Sequence, residues 1–138
     1  MDGEWIMDNR IEVKQTEKRK VKSYKDLQVW QKGIEITDYV YEITSFFPNE
    51  ERYGLTSQLQ RAAISIPANI AEGFGRHSRK EFIQFCRIAL GSCSELETHL
   101  LIAKRRNYCS EERFLTLTSE LESQSKMLMK LIQSLKQI

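Results

Sequence analysis

The stretch that decides the fold is residues 78–103, SRKEFIQFCRIALGSCSELETHLLIA. Its apolar and small side chains recur in alternating steps of three and four, which place them on one face of a helix. Ser78 and Glu81, three residues apart at its start, match a capping box. Ile83 and Leu90 lie outside the stripe and give this helix more apolar surface than one seam needs. The stripe comprises Phe82, Phe85, Ala89, Ser92, Leu96, His99 and Ala103, widened by Cys86, Cys93 and Leu100.

The segment after Ser110 repeats the same pattern. Glu111 and Glu112 fall in its first turn and Lys136 in its last, as the helix dipole favours. A short connector from the preceding helix predicts that the two helices are antiparallel. The seam of this fourth helix is Phe114, Leu117, Leu121, Ser125, Leu128, Ile132 and Leu135.

Upstream, a second helix is predicted from Asn49 to the glycines at 73 and 75, one of which would adopt a left-handed C-cap. Pro67 lies inside its apolar stripe and removes one backbone hydrogen bond. We expect a kink at Pro67, because the stripe keeps its phase there; a break into two helices is the alternative. The stripe is Leu55, Leu59, Ala62, Ala63, Ile66, Ile70 and Phe74.

A first helix is predicted over Tyr24–Phe47, capped by Ser23 or Asp26 and stopped by Pro48. The chain of 138 residues therefore fits one all-α domain, an antiparallel up-down-up-down four-helix bundle over residues 23–138. Residues 1–22 are charged and lack periodicity, which predicts a mobile arm. Trp5 and Ile6 are its candidate anchors.

Composition excludes several classes of function. The formal net charge is +2, so any basic surface must come from local clustering. A run of about 18 apolar residues is absent, which argues against a membrane helix, and the N-terminus lacks the order of a secretory signal. The unpaired spacing of Cys86 and Cys93 in an apolar stripe predicts reduced thiols and a cytoplasmic location.

Three blocks of sequence point to a family. Residues 24–30, YKDLQVW, and residues 52–55, RYGL, precede the long block QRAAISIPANIAEG at residues 60–73. Together with the spacing of residues 82–97, they resemble the four-helix-bundle proteins encoded in intervening sequences of bacterial 23S rRNA genes. The resemblance covers residues 23–135.

The resemblance implies a ring-shaped homopentamer of four-helix bundles. That family is also similar to the accessory proteins of diversity-generating retroelements, basic pentamers that bind a reverse transcriptase and nucleic acid. Two departures are visible. Gly33 stands where the family often has alanine, which is expected to weaken the first helix slightly. The connector at residues 104–106 is more basic than expected.

A polar set is the first candidate site. It comprises Arg61, Ser65, Asn69 and Glu72 on the second helix, with Glu95 on the third. The helical spacing places these side chains on a common side. They form either a binding surface or, as we favour, a hydrogen-bonded cluster that fixes helix register around Pro67.

A basic surface is the second candidate. Between residues 76 and 106 seven cations face three anions, and residues 14–25 carry six cations against one anion. Such groups bind phosphates in a salt-sensitive, largely sequence-independent way. The candidates lie at both ends of the third helix, so only an oligomer would gather them; an ordinary solvated surface is the alternative. They are Arg76, Arg79, Lys80, Arg87, Lys104, Arg105 and Arg106.

Catalytic chemistry is not expected. A di-iron bundle needs Glu-x-x-His on two helices, and neither His77 nor His99 has a glutamate three residues before it. Cysteines among apolar groups are inert, and phosphate-binding loops are absent. We therefore expect no metal, cofactor or enzyme activity. The sequence predicts an oligomeric nucleic-acid-binding module; the alternative is a protein-binding scaffold, such as a reverse transcriptase partner, motivated by Ile83 and Leu90.

Overall fold

The computed structural model describes residues 21–137, which form four α-helices. Across these residues no strand occurs, so the prediction of an all-α protein with four helices is confirmed. The predicted arm lies almost wholly outside the described residues, and its mobility stays a prediction. The helices are α1 (Gln28–Thr44), α2 (Leu55–Gly75), α3 (Arg79–Arg105) and α4 (Glu111–Lys136), with short 3-10 helices at Tyr24–Asp26 and Asn49–Glu51.

The starts of α3 and α4 are each capped by a serine: Ser78, which the sequence indicated as a cap, and Ser110, which the sequence indicated only as the residue before the fourth helix. The hydroxyl of Ser78 accepts a hydrogen bond from the N–H of Glu81 at 3.3 Å. The hydroxyl of Ser110 accepts one from the N–H of Arg113 at 3.2 Å. Each bond satisfies a backbone donor that the first helical turn leaves without a partner.

The first helix is shorter than predicted at both ends. Ser23 and Asp26 do form a capping box, but it starts the 3-10 helix Tyr24–Asp26. Leu27 then adopts an extended conformation and its fully buried side chain enters the core, so α1 begins only at Gln28. At the other end α1 stops at Thr44, before the buried Phe47 turns into the core.

The start of α2 is also later than predicted. Asn49–Glu51 forms a 3-10 turn, and the α-helix begins after Gly54, which has no side chain to cap it. Glu51 takes that role, because its carboxylate accepts the N–H of Leu55 at 3.0 Å. The prediction of a helix from Asn49 was therefore wrong by six residues.

Pro67 lies within a continuous α2, so the alternative of two separate helices is wrong. The proline is buried, and a Cβ added at Gly33 of α1 would lie 3.2 Å from its ring. Glycine at position 33 therefore lets α1 and α2 approach closely at the proline. The expected kink stays a prediction.

The end of α2 differs from the expected glycine cap. None of the described glycines has a positive φ; His77 does, with φ of 56°, and it turns the chain towards α3. Gly73 serves packing instead, because a Cβ there would lie 2.5 Å from the Cβ of Phe85. A close approach of two helices is invisible in a single-helix pattern, which explains the error.

The core follows the predicted stripes with three corrections. Gln124 and Leu131 on α4 are buried although the predicted seam omitted them. The amide of Gln124 donates to the carbonyl of Val29 at 2.8 Å, which ties α4 to α1. Ile83 and Leu90 are half-buried and pack against the core, so they do not supply the exposed apolar surface that was expected of them.

Candidate nucleic-acid interface

The seven predicted cations do not form one patch in the described chain. Arg76 and Lys80 lie beside the start of α3, whereas Arg105 ends it and Arg106 follows. The 27 residues of α3 span about 40 Å at 1.5 Å per residue. Arg87 is exposed between the two groups. The cations must therefore be considered as two separate surfaces.

The first surface, called the basic end here, surrounds the turn from α2 to α3. Arg76 pairs with Glu72 at 3.0 Å and Glu81 at 3.8 Å, and its guanidinium lies 5.1 Å from the ring centroid of Phe85. These contacts fix one cation in place. The described cations of the basic end are Lys22, Lys25, Arg76, Arg79 and Lys80.

The 3-10 helix at the start of the described chain packs against α2. Gly33 of α1 lies beside Pro67 in the second half of α2, so Lys22 and Lys25, which precede α1, lie towards the basic end. Five described cations there face three anions, Asp26, Glu72 and Glu81. In the sequence, residues 14–20 add four cations and one anion. The described residues of the basic end thus carry an excess of positive charge.

The second surface, called the aromatic end here, comprises the turn at residues 45–54 and the turn at residues 106–110. The hydroxyl of Tyr108 donates to the carboxylate of Glu51 at 3.0 Å, and the Tyr108 ring lies 5.5 Å from that of Phe47. These two contacts hold the turns together.

The charges of the aromatic end cancel. Residues 42–54 and 104–113 carry five cations and five anions. Lys104 pairs with Glu111 at 2.7 Å, and Arg113 lies 3.8 Å from Glu42. A balanced set of charges gives little long-range attraction for phosphate. The basic connector at residues 104–106 is therefore countered by its own neighbours.

Exposed aromatic rings mark this end, and the sequence analysis missed them. Phe46 is 65% exposed and Tyr53 is 87% exposed. Arg113 lies 4.7 Å from the centroid of Phe46, and Arg52 lies 5.5 Å from that of Tyr53. Their position was the one signal in the sequence: both rings lie in the segment around Pro48 and Gly54 that connects α1 to α2. A cavity of about 190 Å³ opens beside Phe46, lined by Ile43, Phe46, Tyr108, Cys109, Ser110 and Arg113.

Hydrogen bonds shift two titrations at the aromatic end. The pKa of Glu51 is lowered, chiefly by the bond from the N–H of Leu55 and then by the bond from Tyr108. The pKa of Tyr108 is raised, first because its hydroxyl donates to Glu51. Both shifts favour the same arrangement, an ionised carboxylate that accepts the phenol proton.

The predicted polar set is only partly brought together. The hydroxyls of Ser65 and Ser92 lie 2.8 Å apart across α2 and α3, and the amide of Asn69 donates to the Ser65 hydroxyl at 2.9 Å. Glu72 turns to Arg76 instead. Glu95 lies 3.3 Å from His99 on its own helix, and Arg61 is exposed. The geometry of the serine–asparagine cluster favours the structural interpretation, with Ser92 as the member that the sequence placed in the apolar seam.

The three cysteines form no disulfide and differ in burial. Cys86 and Cys93 are buried, and Cys109 is half-buried. Burial raises the pKa of Cys93 to about 11 and also raises that of Cys109. A thiol held in its neutral form is a poor nucleophile and metal ligand. Across residues 21–137, no three His, Cys, Asp or Glu side chains are grouped so as to hold a metal ion.

Comparison with known proteins places this all-α four-helix fold in a family. Residues 25–130 match the model of the 23S rRNA-intervening sequence protein family, and the chain belongs to that family. The fold is also similar to that of a crystallised protein of unknown function from the S23 ribosomal protein family of Bacteroides thetaiotaomicron VPI-5482. The two are 28% identical, with a TM-score of 0.71 over 76% of this chain and 95% of that one. A search of curated proteins gives no match.

None of α1 to α4 combines the length and apolar character that crossing a bilayer requires.

Proposed function

We propose that this chain is a non-enzymatic, oligomeric module of the cytoplasm that binds RNA or another nucleic acid through its basic end. The observation that carries the proposal is the uneven charge of the bundle. Five described cations face three anions at the basic end, and the adjoining sequence adds more positive charge. At the aromatic end equal numbers of cations and anions cancel. Release of phosphate counterions would supply most of the affinity.

Antiparallel packing is the topology that we propose for the bundle. A hydrogen bond joins Thr37 to the carbonyl of Ala63, and another joins Gln60 to Thr44, so numbering rises along α1 as it falls along α2. The Ser65–Ser92 and Gly73–Phe85 contacts support the same relation for α2 and α3. An up-down-up-down bundle accounts for all of these pairs.

Oligomerisation completes the proposal. The family resemblance implies a ring-shaped homopentamer, in which each basic end would be repeated around one axis. Repetition would join the separate cations of single subunits into a continuous positive rim. Multi-angle light scattering of the purified chain tests this part: a mass of five subunits is expected, and a monomeric mass would contradict it.

Binding itself is tested by fluorescence anisotropy of the purified chain with a labelled structured RNA, from low to physiological salt. The expected result is binding that persists at physiological salt and weakens linearly in log–log form as several counterions are displaced. Absence of binding at every salt concentration would reject a nucleic-acid role. A charge-matched acidic polypeptide serves as the control for adsorption by charge alone.

A protein-binding scaffold without a nucleic-acid role is the second candidate. Exposed apolar side chains on the helices favour it, notably Ile34 and Tyr41 on α1 and Ile64 on α2. Between residues 55 and 71 the sequence carries one charged residue, Arg61. Surfaces poor in charge and rich in apolar groups are typical of the centres of protein interfaces.

The scaffold is distinguished from the RNA-binding module by substitution. Ile64→Glu places a charge on the apolar surface and is expected to abolish capture of a protein partner, a reverse transcriptase among them, while RNA binding stays unchanged. If the wild-type chain binds no RNA and Ile64→Glu releases a defined partner, the scaffold is the better account.

A further inference from the structure

Solvent reaches most of the surface of two rings at the aromatic end. Phe46 and Tyr53 are 65% and 87% exposed. Covering an aromatic ring contributes more free energy than covering most other side chains. The fold buries neither ring, and both lie in the turn at residues 45–54, so a ligand can contact both.

Each of these rings has a guanidinium beside it. Arg113 lies 4.7 Å from the Phe46 centroid, and Arg52 lies 5.5 Å from the Tyr53 centroid. Bases of a single strand stack on aromatic rings, and a planar guanidinium beside a ring adds a second surface on which a base can stack. An exposed ring with a guanidinium beside it thus occurs twice at this end, which offers two stacking positions.

The balanced charge of this end favours a single strand over a duplex as the ligand. A duplex hides the faces of its bases and offers mainly phosphates and groove edges to a protein. Five cations and five anions at the aromatic end give a duplex backbone little net attraction. A strand with exposed bases gains from stacking, which depends less on net charge.

We infer that the aromatic end binds unpaired bases of single-stranded nucleic acid by stacking them on Phe46 and Tyr53. This inference rests on the proposed nucleic-acid function and adds a ligand preference to it. The basic end attracts any phosphate backbone, and the aromatic end adds affinity for strands whose bases are unpaired. Arg52 and Arg113 are the cations that accompany the stacked bases.

The test uses the full chain and two labelled RNAs, a uridine-rich single strand and a duplex of equal length, in anisotropy titrations. Tyr53→Ala is expected to weaken single-strand binding about tenfold and to leave duplex binding unchanged. Tyr53→Phe keeps the ring and should bind as the wild type does. Met129→Ala removes an exposed apolar side chain from α4 and is the control for lost apolar surface.

Phe46→Ala is the second variant, with the same expected loss. Because Phe46 also lines the cavity beside Tyr108, thermal unfolding of this variant is recorded in parallel. Photo-cross-linking of a thiouridine-substituted strand gives an independent readout, with cross-links expected on the peptides that contain Phe46 or Tyr53. The same titrations with a single-stranded DNA of equal sequence distinguish the two nucleic acids. If the variants lose affinity equally for DNA and RNA, the rings stack bases of either; if they lose affinity only for RNA, the ligand is RNA.

Three results would overturn the inference. If Tyr53→Ala binds the single strand as tightly as the wild type while duplex binding persists, the rings are not the site and the proposed function still stands. If the wild type binds neither RNA, the proposed function and the inference both fail. If Tyr53→Ala loses a protein partner but keeps RNA binding, the rings recognise protein.

Discussion

The two ends of the bundle are built differently although α3 runs through both. At the basic end, helices meet closely: Gly73 admits the Phe85 side chain, and the rings of Phe74 and Phe82 pack edge to face at 5.8 Å. At the aromatic end, two turns are joined by the polar contact between Glu51 and Tyr108. Apolar groups are covered at the first end and cations point outward, whereas the second end leaves rings exposed.

At each end, the residues that stabilise the fold determine which groups remain on the surface for a ligand. Tight packing at the basic end uses small and apolar residues. Arg76 is paired with Glu72 and Glu81 there, while Lys22, Lys25 and Lys80 are exposed. At the aromatic end Glu111 is paired with Lys104, and Glu51 accepts a hydrogen bond from the hydroxyl of Tyr108. The same bundle can therefore present an electrostatic surface at one end and a stacking surface at the other.

The largest effect is expected from closing the gap at Gly73. Gly73→Ala places a Cβ 2.5 Å from that of Phe85, and overpacking of this kind costs about 1–3 kcal/mol. Gly91→Ala is the matched control, since a Cβ there meets nothing within 4 Å and a helical alanine gains about 0.5–1 kcal/mol over glycine. Urea unfolding of both variants measures the difference; equal stabilities would refute the close-packed basic end.

A smaller effect is expected from the buried thiol in the middle of α3. The pKa of Cys93 is raised to about 11, above its ordinary value, so its contribution to stability is complete below pH 9. That contribution declines as the pH rises towards 11, because the unfolded chain loses the proton first. Cys93→Ser should remove this part of the alkaline loss in unfolding experiments at several pH values.

Cys109→Ser is the comparison for the thiol prediction: burial raises the pKa of Cys109 as well, but this thiol is only half-buried, so a smaller change of the alkaline branch is expected. Native-state labelling with a thiol reagent should modify Cys109 before Cys86 and Cys93. Faster labelling of Cys93 than of Cys109 would contradict the buried position of Cys93.

The smallest effect concerns Glu51 at the aromatic end. Its pKa is lowered by the Leu55 and Tyr108 hydrogen bonds, so its contribution to stability is present above pH 4.5 and is lost as the pH falls through its folded pKa. Glu51→Gln should flatten the acid branch of the stability curve, and Tyr108→Phe should flatten it less. Glu50→Gln removes an equal charge and should leave the branch unchanged; an identical change in Glu50→Gln would argue against the capping role.

Helix periodicity and serine caps predicted the number of helices and the starts of α3 and α4, because these depend on neighbours in sequence. Contacts between helices were not predictable in the same way. Gly73 looked like a helix stop until the position of Phe85 was known, and Gln124 looked exposed until α1 provided a carbonyl for it. Pairings such as Glu51 with Tyr108 join residues 57 apart, beyond the reach of any local pattern.

The two parts of the candidate site also differ in how well the sequence predicted them. The cations of the basic end were readable from sequence because charge needs no partner to be recognised. The exposed rings of Phe46 and Tyr53 were missed because aromatic residues beside apolar helices are ordinarily assigned to the core. Only their exposure in the folded chain identifies them as surface groups.

The central claim, that the basic end carries the electrostatic binding of nucleic acid, is tested most directly by two triple variants of matched charge. Arg76, Arg79 and Lys80 are replaced by glutamine in one, and Lys104, Arg105 and Arg106 in the other. Anisotropy with duplex RNA measures the salt slope of each. We predict that the first slope falls by about three and the second changes by less than about one. Equal falls in the two variants, or an unchanged slope in the first, would contradict the account.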